Sequence, residues 1–154
     1  MRTEAMPMEQ LVQLLEVQLE RGIAPLRVVG CSMSPTFESN RDTVYLQKVQ
    51  TPLRKGDVIL YRRKSRQYVL HRIVRIRNGG LILSGDNQYE PEAVDLQQVI
   101  ARVEGFQRKG KDYSVTHPIY RSWVWLWVSL YPIRRPLIAL RRCLGRIRRI
   151  FKRK

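Results

Sequence analysis

The chain has 154 residues, 44% of them hydrophobic, and a formal net charge of +16. That length suits one domain with an appendage, and the apolar share excludes a disordered or fibrous chain. The charge is unevenly placed: residues 119–154 hold 11 Lys and Arg and no acid, while residues 1–118 hold 18 basic and 13 acidic side chains. The expected organisation is therefore a mildly basic domain over 1–118 and a basic, Trp-rich tail over 119–154.

Two cysteines, Cys31 and Cys143, stand far apart with no CxxC and no Cys/His cluster, which argues against structural zinc and favours free thiols. No cofactor or metal is expected. The first apolar stretch, Leu11–Leu19, is broken by Gln13, Glu16 and Gln18. A signal-peptide core is continuous, so the N-terminus is expected to remain in the cytoplasm.

In chain order, Met8 to Arg21 carries apolar residues at helical spacing (Leu11, Val12, Leu14, Leu15), with Gly22 as a plausible C-cap, and predicts an amphipathic helix. Short β-rich runs follow at Leu26–Val29, Thr43–Val49, Asp57–Arg62, Gln67–Arg77, Leu81–Leu83, Val99–Gln107 and Asp112–Val115. Turn signals separate them, among them Arg54-Lys55-Gly56, Asn78-Gly79-Gly80 and Lys109-Gly110-Lys111. Alternation puts Val69, His71, Ile73 and Arg75 on one face of the longest run. The fold class expected is mainly β: an antiparallel, partly closed sheet with an N-terminal helix.

The tail differs. Trp123 to Ile133 is an apolar run of 11 residues ended by Arg134-Arg135, and a spanning helix needs about 20. Trp123, Trp125 and Trp127 alternate in a way that suits a short strand better than one helix face. Beyond Pro136, Leu137, Ile138, Leu140, Leu144, Ile147, Ile150 and Phe151 oppose a basic face. This pattern predicts a basic amphipathic helix lying in the headgroup plane of an anionic membrane, peripheral and on the cytoplasmic side. A tail packed back on the sheet is the competing expectation. No specific nucleic-acid partner is expected, because the charge comes without a reading motif.

Only two histidines exist, His71 within Tyr68-Val69-Leu70-His71-Arg72-Ile73-Val74 and His117 before Pro118. Ser32 lies in the turn-prone Gly30-Cys31-Ser32-Met33-Ser34-Pro35. A serine on a tight turn after a strand can present its hydroxyl at a cleft, but it needs a base to become a nucleophile. Taken singly, the histidine reads as structural and the serine segment as a loop.

Taken in order, Gly30-Cys31-Ser32-Met33-Ser34-Pro35, Arg54-Lys55-Gly56-Asp57-Val58, Val69-Leu70-His71-Arg72-Ile73-Val74 and Ser84-Gly85-Asp86-Asn87 resemble the boxes of the type I signal peptidase family over residues 27–104. The related LexA-like self-cleaving peptidases share the first two boxes and the sheet, but no helix-turn-helix region precedes them here. The resemblance implies a β-rich peptidase domain with Ser32 as nucleophile. His71 stands where bacterial members usually carry a Lys base, which is similar to the Ser/His branch of the endoplasmic reticulum and archaea. Asp86 matches that branch's acid, either orienting the base or capping a turn. Glu90, Glu92 and Asp95 are candidates for its second acid. The family's usual N-terminal anchor has no counterpart in the pattern.

The expected function is thus a serine endopeptidase cleaving signal- or leader-like peptides near a membrane. The alternative is an inactive module of the same fold held at a membrane or nucleic acid by its tail. A Ser/Lys dyad through Lys48, Lys55 or Lys64 is a third arrangement, at positions the family does not use for its base.

Overall fold

A computed structural model describes residues 14, 15, 17–77 and 79–133. Of the expected N-terminal helix, residues 14, 15 and 17–20 are described and helical, with Leu15 and Leu19 buried in the core. The amphipathic segment beyond Pro136 lies outside the described residues.

Eight strands follow: β1 (Ile23–Arg27), β2 (Asp42–Gln47), β3 (Val58–Arg62), β4 (Tyr68–Arg77), β5 (Gly80–Ser84), β6 (Glu92–Asp95), β7 (Val99–Arg108) and β8 (Lys111–Ser114). All pairings are antiparallel, in the order β1-β2-β7-β3-β4-β5-β6, with β8 pairing β7. The mainly β, antiparallel fold expected from the sequence is the fold observed. The strand not foreseen is β6, at one edge. Register shifts in β7, within its pairing with β2 and within its pairing with β3, and in β4 opposite β5 bend the sheet on itself.

Strand β3 is the central wall. Val58 and Leu60 face one apolar cluster, with Met33, Phe37, Val44, Leu46 and Val103. Ile59 and Tyr61 face a second, with Ile73, Leu81, Leu83 and Val94. Burial on both faces explains why Val58-Ile59-Leu60-Tyr61 reads as a continuous apolar run rather than an alternating one.

A helix, α1 (Pro118–Ser129), opens the tail, with His117 as N-cap and Pro118 in the first turn. The tryptophan alternation that suggested a strand here is carried by a helix instead. Residues 123 and 127 are one turn apart, and their rings stack with centroids 5.1 Å apart. Tyr120 packs on the first cluster, Val128 is buried, and Trp123 Nε1 donates to Thr36 Oγ1 at 3.1 Å. Val124 sits close enough that a Cβ on Gly56 would lie 2.8 Å from its Cγ1. The opposite face leaves Ile119, Trp125 and Leu126 exposed. Among the described residues no helix is long and apolar enough to cross a membrane.

Candidate active site

Ser32 lies in the turn that leaves β1. Val28 N and Asn40 N bond back across the loop to Asp42 O and Val28 O. Met33 and Phe37, 1% and 0% exposed, anchor the loop in the first cluster. Its far end is held by Asp42, a fully buried carboxylate that takes hydrogen bonds from Arg41, Arg108 and the Glu38 amide. Burial pushes the Asp42 pKa up, but the bonds from Arg41 and Arg108 outweigh it and hold the carboxyl below its usual range.

The Ser-Gly-Asp-Asn segment after β5 fixes the same loop from the other side. Asn87 N donates to Ser32 O at 2.7 Å. Gly85 passes so near that a Cβ there would sit 2.6 Å from Ser32 O. This close approach is the physical reason for glycine at 85. The Ser32 turn and the Gly-Asp-Asn segment, more than fifty residues apart in sequence, are therefore stitched together through backbone.

His71 is in β4, opposite Ile59 and 3% exposed. Burial and, less strongly, the nearby Arg63 charge lower its pKa, Glu92 and Asp86 partly offset them, and the net result is about 4. The imidazole is therefore neutral near physiological pH. Ser32 and His71 line one cavity of about 340 Å³, walled by Leu26, Val28, Met33, Leu60 and Leu70. They share this cavity without a hydrogen bond between them. Apo peptidase geometry is often looser than the reacting geometry.

Asp86 takes a different partner from the one that would orient the base. Its carboxylate is forked onto Arg72, Oδ1 from Nε at 2.8 Å and Oδ2 from Nη2 at 2.7 Å. Both side chains are fully buried, and Arg72 Nη1 also donates to Gly56 O at 2.8 Å. Burial disfavours the Arg72 charge, yet the Asp86 carboxylate holds its pKa above the ordinary value. Asp86 thus ties the 84–88 turn to β4 and to the Gly56 turn. On His71 it acts through space.

The groups that contact the His71 ring were not singled out as a pair in the sequence. Tyr61 opposes Val69, which makes His71 its diagonal neighbour across the β3–β4 ladder. Tyr61 Oη lies 3.2 Å from His71 Nδ1 and donates to Glu92 Oε2 at 2.7 Å. Arg63 clamps the same carboxylate through Nε and Nη2, at 2.8 and 2.6 Å. Of the three candidate acids Glu90, Glu92 and Asp95, Glu92 is the one joined to the histidine. Of the three lysines, Lys48 pairs with Glu20, Lys64 sits in the exposed β3–β4 turn, and Lys55 borders a separate groove against α1.

The profile of the Peptidase S24-like family matches residues 4–104, more than half of the chain. The chain belongs to the Peptidase S24-like family. No curated protein compared with it matches. The match supports the broad placement among signal-peptidase and LexA-like serine peptidases, with the serine-peptidase type of fold. It favours the S24 side of that group, the branch the sequence reading had ranked second. Among the described residues no cluster of three or more potential metal ligands occurs.

Proposed function

We propose that this S24-like protein is a serine endopeptidase with Ser32 as nucleophile and His71 as general base, acting on signal- or leader-like peptides at a membrane surface. The observation that carries this is the shared cavity. A loop serine and a buried, neutral histidine border it together, in a fold whose family is a peptidase family. In the reaction, Ser32 Oγ attacks the scissile carbonyl carbon and its proton passes to the imidazole. The imidazolium then returns that proton to the leaving amine, and water releases the acyl group by the same route. The Ser32 amide makes no backbone hydrogen bond among the described residues, which suits it to receive the oxyanion. The apolar cavity wall favours substrates with apolar side chains beside the cleaved bond. The outward face of α1, with Ile119 76% and Trp125 71% exposed, supports placement at a membrane.

Ser32→Ala and His71→Ala should each lower cleavage of a leader-like peptide by at least about 100-fold while the circular dichroism spectrum is unchanged. Undiminished cleavage by folded Ser32→Ala protein would remove Ser32 as nucleophile. An inactive wild-type chain that still captures the peptide would support a binding module.

A further inference from the structure

We infer that Tyr61 and Glu92 are positioning residues that hold His71 as its Nδ1–H tautomer, leaving the Nε2 lone pair to act as base. This rests on the peptidase reading above only for what the base acts upon. The tautomer follows from a count of protons.

Tyr61 has one hydroxyl proton and can donate once. Glu92 is ionised: burial disfavours its charge, but the hydrogen bonds from Arg63 and from Tyr61 outweigh that and hold its pKa low. A carboxylate only accepts, so the 2.7 Å contact with Tyr61 places the hydroxyl proton on the Glu92 side. Tyr61 does not ionise to escape this arrangement, because burial and the bond to Glu92 both raise its pKa. The phenolic oxygen therefore turns a lone pair to His71 Nδ1, 3.2 Å away. The neutral ring must supply the proton of that hydrogen bond. Nε2 is then the unprotonated nitrogen, and it has no hydrogen-bond partner among the described residues.

The arrangement draws on three elements. Tyr61 comes from β3, Arg63 follows it, and Glu92 opens β6, the edge strand that pairs with β5. The charged or titratable groups acting on the ring are Arg63, Glu92, Asp86 and the Tyr61 hydroxyl. Glu92 acts on the histidine through an intervening phenol, so the imidazole is oriented without a carboxylate in contact with it. An imidazole locked in the opposite tautomer would point an N–H at the serine and could not take its proton.

The test uses the full chain with ¹⁵N-labelled histidine near neutral pH, read by long-range proton–nitrogen correlation. His71 should show a protonated Nδ1 and a bare Nε2. His117 supplies an internal contrast, because its Nδ1 accepts from Ile119 N at 3.3 Å and so lacks the proton. Tyr61→Phe, which keeps the ring, should move His71 toward the Nε2–H form. It should also slow labelling of Ser32 by a serine-directed phosphonate by at least about 10-fold, part of the 10²–10⁴-fold that general-base catalysis contributes. Glu92→Gln, which frees the hydroxyl to turn, should move the tautomer the same way. An Nε2–H tautomer in the wild-type chain, or one that ignores both substitutions, overturns the inference whatever Ser32 does. A correct tautomer with Ser32 inert to the phosphonate and no peptide cleaved upholds the relay and overturns the peptidase reading.

Discussion

Asp86→Ala separates a structural carboxylate from a chemical one. The substitution strips Arg72 of two charge-assisted hydrogen bonds, at 2.8 and 2.7 Å, and leaves a fully buried guanidinium with the Gly56 carbonyl and the Tyr120 side chain. Breaking a buried pair by removing one partner costs about 3–5 kcal/mol. That is a large share of the roughly 5–15 kcal/mol that holds a domain folded. At about 2–4 °C per kcal/mol for a domain of this size, the melting temperature should fall by about 6–20 °C. Urea unfolding should show a lower midpoint with an unchanged slope. The double variant Arg72→Met/Asp86→Leu should recover most of the loss, since apolar replacement of a buried pair is often neutral or stabilising. Below its transition, folded Asp86→Ala protein should cleave peptide within about 10-fold of wild type, because Tyr61 and Glu92, not Asp86, hold the histidine. A variant that melts like wild type but has lost cleavage would show that Asp86 acts on the chemistry.

Gly85→Ala puts a methyl 2.6 Å from Ser32 O, a backbone atom that cannot swing aside. A displacement of about 1 Å at the nucleophile should cost about 100-fold in kcat/KM, and full activity would show that the Ser32 loop tolerates the shift. The pH–rate profile follows from the imidazole. The neutral form is the active one and its pKa lies near 4 rather than near the ordinary 6.5. Lowering the pH through 6.5 therefore leaves kcat/KM level and the acid limb appears near pH 4; a limb centred near 6.5 would mean that His71 titrates as if exposed. At the membrane, Trp125→Ser/Leu126→Ser should weaken binding to anionic vesicles by at least about 10-fold, given the ~1.5 kcal/mol or more gained on burying one large apolar side chain. Unchanged sedimentation with vesicles would move membrane contact away from α1.

Seven of the eight strands were legible, because their apolar runs are punctuated by glycine-bearing turns. β6 was not: Glu92-Ala93-Val94-Asp95 is four residues long, half acidic, and gains its order from pairing with β5. The helix expected in the tail is there as α1; the three alternating tryptophans weakened that reading, and the cap at His117-Pro118 and the stack of Trp123 on Trp127 show how a helix carries them. Ser32 and His71 were found through the order of the boxes and do share a cavity. Arg72 was invisible as a partner. Alternation places it on the face opposite His71, and nothing in the chain announces that an arginine there is 0% exposed and paired with Asp86. Tyr61 was not singled out within the Asp57–Arg62 run, because its link to Glu92 exists only once β6 docks.

Ser32 and His71 stand on different foundations. The loop carrying the serine is bolted into the first apolar cluster by Met33 and Phe37, while the histidine shares its face of β4 with Ile73 of the second. The gap between hydroxyl and imidazole is thus a gauge of how the two halves of the bent sheet are seated across β3. A side chain shortened deep in either half, by Phe37→Leu or Ile73→Val, would be felt as a change of aim at the cleft.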